Sequence, residues 1–273
     1  MKRLVGIMMA VWGLTGQPSL ATAQSGDWVF GRGGQMSLML STPLSSCNDT
    51  RVQTLLEQFA EGCTSTDNWD GYTGYWNIQD GVLCLDSIQL ARGMTIYPGL
   101  MSEFESYRQG GRVVASWVSD TLRIVRGDVL YYEHAGFLRF YEHEDFLPVS
   151  NGRVGEAVSY DQRAVFPMKP EGEQTRLMHS LTTRLSQKMQ KNFPQASRGR
   201  YFISHVCYTG TDLTHPVGVT LDIVHPDEST LDAELVSFIK KEVGRFFLRH
   251  HIVPLYIIKG TPWMPAYIYP LVL

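Results

Sequence analysis

The chain has 273 residues, of which 44% are hydrophobic and 11% aromatic, enough to bury one large core or two ordinary ones. Its 24 basic and 27 acidic residues leave a formal net charge of -3, and no basic run is longer than a pair. A wide basic face is therefore not expected, and the composition argues against nucleic acid as a partner.

The first 23 residues have the pattern of a secretory signal peptide. Two basic residues are followed by an apolar core over residues 4–16, and Ala21-Thr22-Ala23 resembles a cleavage site. The apolar run is shorter than the ~20 residues that span a bilayer. We therefore predict cleavage before Gln24, no transmembrane anchor after cleavage, and a periplasmic or extracellular protein.

Four cysteines follow the predicted signal peptide, and an oxidising compartment leaves three disulfide connectivities open. Cys47 and Cys63 flank a short amphipathic segment, where a bridge would stabilise a weak element, so they are the candidate disulfide. Cys84 and Cys207 lie in apolar, strand-like runs, where a small buried core residue is the simpler interpretation.

Residues 24–166 form the first predicted module. Between residues 68 and 153 apolar and polar residues alternate, with turn residues between the runs, as is typical of antiparallel strands. Asp80-Gly81 fits a tight hairpin turn, and Gly127-Asp128, Ala135-Gly136 and Asn151-Gly152 mark further breaks. The pattern predicts an antiparallel β-rich module, as a meander or a small barrel-like sheet.

A proline-bearing link over residues 166–170 ends this module, and the periodicity then becomes helical. Four apolar residues at a spacing of four predict a helix that Pro194 terminates. They are Leu177, Leu181, Leu185 and Met189. Strand-like runs follow over residues 201–208 and 217–224.

Ser229 and Asp232 give a helix start signal of the capping-box kind. The predicted helix has an apolar face that includes Leu231 and Leu235, and strand-like runs over residues 252–258 and 266–273 close the chain. The order α-β-β-α-β-β over residues 171–273, after a β-rich module, predicts an α+β fold.

The last segment carries three short motifs: Phe193-Pro194-Gln195-Ala196 with Gly199, Leu231-Asp232-Ala233-Glu234-Leu235, and the closing Tyr269-Pro270-Leu271-Val272-Leu273. In these it resembles the periplasmic C-terminal domain of TonB-type energy transducers. The resemblance implies a small mixed domain whose sheet edge accepts a partner strand. Such transducers keep a membrane tether and a long Pro-rich spacer, which this chain does not match, so a role in energy transduction is not implied.

The N-terminal half resembles uncharacterised secreted bacterial proteins in Trp76-Asn77-Ile78, Ala115-Ser116-Trp117 and residues 136–142. That resemblance implies no activity.

The densest polar cluster is Glu133-His134 with residues 142–145. His134 and His143 are candidate metal ligands, provided that both lie on the same side of a sheet. No second histidine follows His143 at the spacing of the zinc-protease helix motif. Solvated strand edges explain the same residues without a metal.

Tyr131, Phe137 and Tyr141 are candidate binding residues, since aromatic rings stack on sugars and anchor protein interfaces. Inward-facing rings that fill a sheet core are the alternative. No catalytic residue can be assigned, no cofactor motif occurs, and no cofactor is expected.

The sequence favours a non-enzymatic protein that binds a protein or another cell-envelope component through a strand edge or an aromatic face. The alternative is an envelope hydrolase, with or without a metal, that uses residues 133–145. Convergence of His134, His143 and a carboxylate in a cleft would favour the hydrolase. An open strand edge, with these side chains splayed into solvent, would favour binding.

Overall fold

The computed structural model describes residues 24–31, 34–196, 199–210, 212, 214–224 and 232–273. The predicted signal peptide, and Ser229 and Leu231 of the predicted helix start, lie outside the described residues. Within the described ranges, no helix is long and apolar enough to cross a membrane. The architecture is mixed and rich in strands, which confirms the predicted α+β class.

The helices are α1 (Thr50–Ala60), α2 (Glu171–Asn192) and α3 (Ala233–His250), with short 3-10 helices at Pro43–Ser46, Pro98–Leu100 and Ser102–Tyr107. The strands are β1 (Asp27–Phe30), β2 (Met36–Met39), β3 (Tyr72–Gln79), β4 (Val82–Leu90), β5 (Thr95–Ile96), β6 (Arg108–Gln109), β7 (Arg112–Val114), β8 (Asp120–Tyr132), β9 (Arg139–Ser150), β10 (Arg153–Val154), β11 (Val158–Asp161), β12 (Arg163–Phe166), β13 (Arg200–Thr209), β14 (Gly218–Val224), β15 (Leu255–Ile258), β16 (Thr261–Trp263) and β17 (Tyr269–Val272).

Most strands of the N-terminal half form one sheet that closes into a ring. The neighbours run β4, β3, β1, β2, β8, β9 and β10, and β10 returns to β4 through the pair Arg153–Val82. Strands β1 and β3 pair in parallel, whereas the other neighbours in the ring are antiparallel. The antiparallel arrangement predicted for this half is therefore confirmed apart from that one pair.

Two predicted turns have the backbone geometry that their residues favour. Asp80 and Gly81, between β3 and β4, have φ angles of 52° and 75°. Asn151 and Gly152, between β9 and β10, have φ angles of 48° and 77°. Positive φ at both central residues matches the twist of a two-residue hairpin, and Asn, Asp and Gly adopt it at the lowest cost.

Apolar side chains of the ring and of α1 form one core. Helix α1 begins after Asp49, whose carboxylate accepts a hydrogen bond from the Arg51 N–H, and the helix buries Val52 and Leu56. From the ring, Trp76 is among the largest side chains in this core and is fully buried.

The C-terminal half follows the predicted order of elements. Helices α2 and α3 pack against the sheet β14-β13-β17, and the buried side chains of α2 include the predicted Leu181, Leu185 and Met189. Helix α3 begins after Asp232, whose carboxylate accepts a hydrogen bond from the Glu234 N–H.

The end of the chain differs from the prediction in one respect. The sequence predicts two closing strands, but residues 252–273 contain β15, β16 and β17. Lys259 and Gly260, with φ angles of 50° and 75°, turn β15 back into β16, and this hairpin lies in a different sheet from β17.

The two halves share a small core. The predicted boundary assigns β12 to the first module, but β12 pairs with β15 of the C-terminal half. Tyr131 and Phe140 of the β8–β9 hairpin pack against Trp263, and Tyr131 also packs against Tyr256. Gln162 links the two halves at this contact, which we call the joint. Its side chain donates a hydrogen bond to the Tyr141 carbonyl and accepts one from the Lys259 N–H.

Candidate functional site

The two candidate metal ligands are far apart. His143 lies opposite Arg126 in the β8–β9 ladder, whereas His134 lies near the hairpin turn. Residues 126 to 134 span roughly 25 Å in an extended chain. His143 Nδ1 lies 2.7 Å from Asp161 Oδ1, and His134 Nδ1 lies 3.3 Å from the Tyr132 hydroxyl. In the described residues, no group of three or more His, Cys, Asp or Glu side chains is placed to hold a metal ion.

The carboxylates of this region are engaged in local contacts. Glu144 is fully buried and forms a two-pronged ion pair with Arg123, and it also accepts a hydrogen bond from the Tyr141 N–H. The same guanidinium donates to the carbonyls of Phe137 and Arg139. The other contacts are Glu133 with the Tyr131 hydroxyl, Glu142 with the Asp128 N–H, and Asp145 with Arg126. These groups hold the hairpin together.

Tyr131 is not available to a ligand, contrary to the predicted aromatic face. It is 3% exposed, and its ring centroid lies 4.8 Å from that of Trp263. The ring fills the core shared by the two halves, as inward-facing rings do. Phe137 and Tyr141 are half-buried and do not form a common surface with it.

The candidate disulfide is not formed. All four cysteines are free thiols, with Cys47, Cys63 and Cys84 buried and Cys207 exposed, so the prediction of a buried core residue fails for Cys207. Cys47 precedes α1 and Cys63 follows it, and an 11-residue helix is about 16 Å long, whereas a disulfide needs Cα atoms within about 7 Å. Burial raises the pKa of the Cys47 and Cys84 thiols.

A cavity of about 600 Å³ opens beside the core of the ring. Its apolar lining includes Ile78, Ile124, Leu147 and Val154, which belong to β3, β8, β9 and β10 and contact that core or form part of it. The volume is within the range of small-molecule sites. The sequence gives no signal for this cavity, because these side chains meet only when the sheet closes.

Asp27 is a buried carboxylate within the same half. It is 1% exposed, and its two oxygens accept hydrogen bonds from the Gly74 N–H and the Trp76 indole N–H, both at 2.8 Å. Burial raises the pKa of Asp27 to about 7, against the opposing effect of the two N–H donors. Asp27 therefore gains or loses a proton near neutral pH.

The three-stranded sheet of the C-terminal half has two outer strands, each paired only with β13 in the described part of the chain. Gly199 and Leu273 exchange both backbone hydrogen bonds, so the alternation of an antiparallel ladder turns the backbone groups of Pro270 and Val272 outward. Pro270 has no N–H to donate. The outer edge of β17 is therefore poorly suited to accept a further strand.

Strand β14 forms the other edge and contains no proline over residues 218–224. By the same alternation, Phe202 of β13 exchanges hydrogen bonds with Val224, and the backbone groups of Ile223 point away from β13. The edge of β14 therefore has donors as well as acceptors to offer.

The sheet face that the helices do not cover is partly apolar. Phe202 lies between Val224 on one side and Pro270 on the other. Val224 is 40% exposed, and Val272, also on β17, is 58% exposed. These four residues form what we call the open face, which runs from one edge of the sheet to the other.

Nothing among the protein-family models, the curated proteins or the solved structures matches this chain. The resemblance of the last segment to TonB-type C-terminal domains stays a prediction.

Proposed function

We propose that this protein is exported from the cytoplasm and acts without catalysis, by binding an extended segment of a partner protein along β14. The observation that carries the proposal is the asymmetry of the sheet β14-β13-β17. Its β17 edge contains Pro270, whereas its β14 edge contains no proline.

An extended partner segment would add a strand beside β14, with its main chain hydrogen-bonded to that edge. Main-chain bonds of this kind give affinity, and alternate side chains of the added strand give specificity. The open face supplies an apolar surface next to the edge, where Val224 and Phe202 would contact those side chains.

The hydrolase alternative needs the polar residues of the β8–β9 hairpin to converge. His134 and His143 point to separate partners, and Glu144 is fully buried in its ion pair with Arg123. These contacts support binding over hydrolysis.

Export is supported by the environment of Gln24, the predicted first residue after cleavage. Its side chain accepts a hydrogen bond from the Trp69 N–H, and its carbonyl accepts one from Arg139. A chain that begins at Gln24 therefore has its first residue anchored in the fold. Mass spectrometry of the secreted protein, with an intact Met1 in the membrane fraction as the contrary outcome, tests this part.

The binding site is tested with peptides selected from a phage-displayed random library against the chain from Gln24 to Leu273. Val224→Lys places a charge on the β14 edge, where lysine opposes strand addition, and should weaken peptide binding roughly tenfold or more. Val272→Lys is the matched control on β17 and should leave binding unchanged. N-methylation of the alternate peptide amides that face β14 should abolish binding, because it removes the main-chain donors, whereas N-methylation of the other alternate set should be tolerated.

Equal loss in both lysine variants would place the contact on the open face and contradict an edge site. Binding that survives N-methylation of each alternate set of amides in turn, or a library that yields no binder, would also count against strand addition.

A further inference from the structure

A groove of about 260 Å³ lies between α2 and α3, and its lining contains no residue of β14. Its apolar lining is formed by Leu181, Leu185 and Phe246. Its charged lining has two basic residues from each helix, spaced four apart, and a single acid. These residues are Arg184, Lys188, Arg245, Arg249 and Glu242.

The charges in the groove do not balance. Glu242 is shared between Lys188 and Arg245. Within the described ranges, Arg184 and Arg249 form no ion pair, although both line the groove. The groove thus carries an excess of positive charge in a protein whose net charge is -3.

His250 lies next to Arg249 and is affected by the same excess of positive charge. Burial lowers the pKa of His250, and the cations of Arg249, Lys169 and Arg184 lower it further. Bringing like charges together costs free energy that a bound anion would recover.

We propose that the groove between α2 and α3 binds a phosphate-bearing ligand, with Arg184 and Arg249 on the phosphate group and the apolar lining against the organic part. Arginine favours phosphate, because its planar guanidinium donates two parallel hydrogen bonds to adjacent oxygens. The volume of the groove fits a small phosphate ester or one lipid headgroup. This site is separate from the β14 edge, so either proposal can fail without the other.

The test uses four probes: inorganic phosphate, phenyl phosphate, phenylacetate, and vesicles of phosphatidylcholine with or without phosphatidylglycerol. Calorimetry should show that phenyl phosphate binds more tightly than inorganic phosphate, because its ring reaches the apolar lining. Arg184→Gln and Arg249→Gln should each weaken binding roughly tenfold, the loss expected for one charge-assisted contact. Arg176→Gln, also on α2 but outside the groove and bonded to the Gly172 carbonyl, is the matched control and should change nothing.

Both groove variants should also keep the far-ultraviolet spectrum of the parent chain, which separates lost binding from lost folding. Vesicle binding that needs phosphatidylglycerol and both arginines, without binding of the soluble esters, assigns the phosphate to a lipid headgroup. Binding of phenyl phosphate without binding of the vesicles identifies the ligand as a soluble phosphate ester. Equal weakening by Arg176→Gln, tighter binding of phenylacetate than of phenyl phosphate, or no binding of any probe would overturn the proposal.

Discussion

Asp27 shows how a single backbone position can make room for a buried carboxyl group. Gly74 leaves room for the carboxylate, since a Cβ there would lie 2.6 Å from Asp27 Oδ2 and 2.5 Å from Trp76 Nε1. Any larger residue at position 74 would displace either the acid or the indole. The glycine and the aspartate therefore depend on each other, although they lie far apart in the sequence.

The raised pKa of Asp27 makes the stability of the fold depend on pH. The folded state keeps this proton up to a pKa of about 7, whereas the carboxyl group in the unfolded chain, with its ordinary pKa of 3.8, has released it by then. The contribution of protonated Asp27 to the free energy of unfolding is fully present below about pH 4 and is lost as pH rises through about 7. The loss is at most about 4 kcal/mol. Asp27→Asn should flatten this part of the pH dependence in urea unfolding between about pH 4 and pH 8.

The slope is the informative quantity, because asparagine leaves one of the two N–H donors unpaired and lowers stability at every pH. Asp128→Asn, at an exposed position of β8, serves as the control and should keep the parent slope. An unchanged slope in Asp27→Asn would refute the assignment.

At the scale of the element, the β8–β9 hairpin has the longest strand pairing among the described residues. The sequence pattern wrongly predicts more than one strand where the structure has the single strand β8. Gly127-Asp128 predicts a break, but β8 continues through both residues to Tyr132. The register shifts between Arg126 and Val129, and Gly127 has a φ of 80°, so the glycine serves a bulge within one strand. Turn and bulge use the same residue type, and only the partner strand distinguishes them.

The hairpin contains two arginine–carboxylate ion pairs: Arg123 with Glu144, which is buried, and Arg126 with Asp145, which is more exposed. Arg123→Met should destabilise the fold by about 3–5 kcal/mol, because it leaves the buried Glu144 charge without a partner. Arg126→Met, which breaks the more exposed pair with Asp145, should cost less than about 1 kcal/mol. Denaturant unfolding measures both, and equal costs would contradict the structural difference. The double variant Arg123→Met with Glu144→Leu should recover part of the loss.

Helices are the elements that the sequence predicts best. In α2 the apolar spacing of four identifies the buried residues, because a helix repeats its faces locally. In α3 the start signal predicted from Ser229 and Asp232 marks the correct region, but Asp232, three residues after Ser229, is itself the capping residue. The disulfide prediction for Cys47 and Cys63 fails because the segment between them folds into the helix α1, whose length separates the two cysteines.

At the scale of the whole molecule, the joint between the halves consists of aromatic rings. Trp263 contacts Tyr131, Phe140 and Tyr256, so it touches side chains from both sides of the joint. Lys259 adds a cation–π contact 3.7 Å from the centre of the Phe146 ring. The halves are therefore expected to unfold together.

Trp263→Ala should weaken this coupling. Removing the indole leaves a cavity in the joint, and calorimetry should show either two unfolding transitions or one transition at a lower temperature and with less cooperativity. Trp69→Ala, at an exposed tryptophan of the N-terminal half, is the matched control and should retain a single transition. A single transition of unchanged shape in Trp263→Ala would show that the joint does not couple the halves.

The sequence alone determines the α+β class, the helices and the Asp80-Gly81 and Asn151-Gly152 turns, because each depends on residues a few positions apart. The tertiary structure decides what remote residues do together. It closes the ring through Arg153 and Val82, places Tyr131 in a shared core, and gathers three arginines of α2 and α3 into one groove. Contacts of this kind leave no periodic signal in a single chain, so they appear only when the elements are packed.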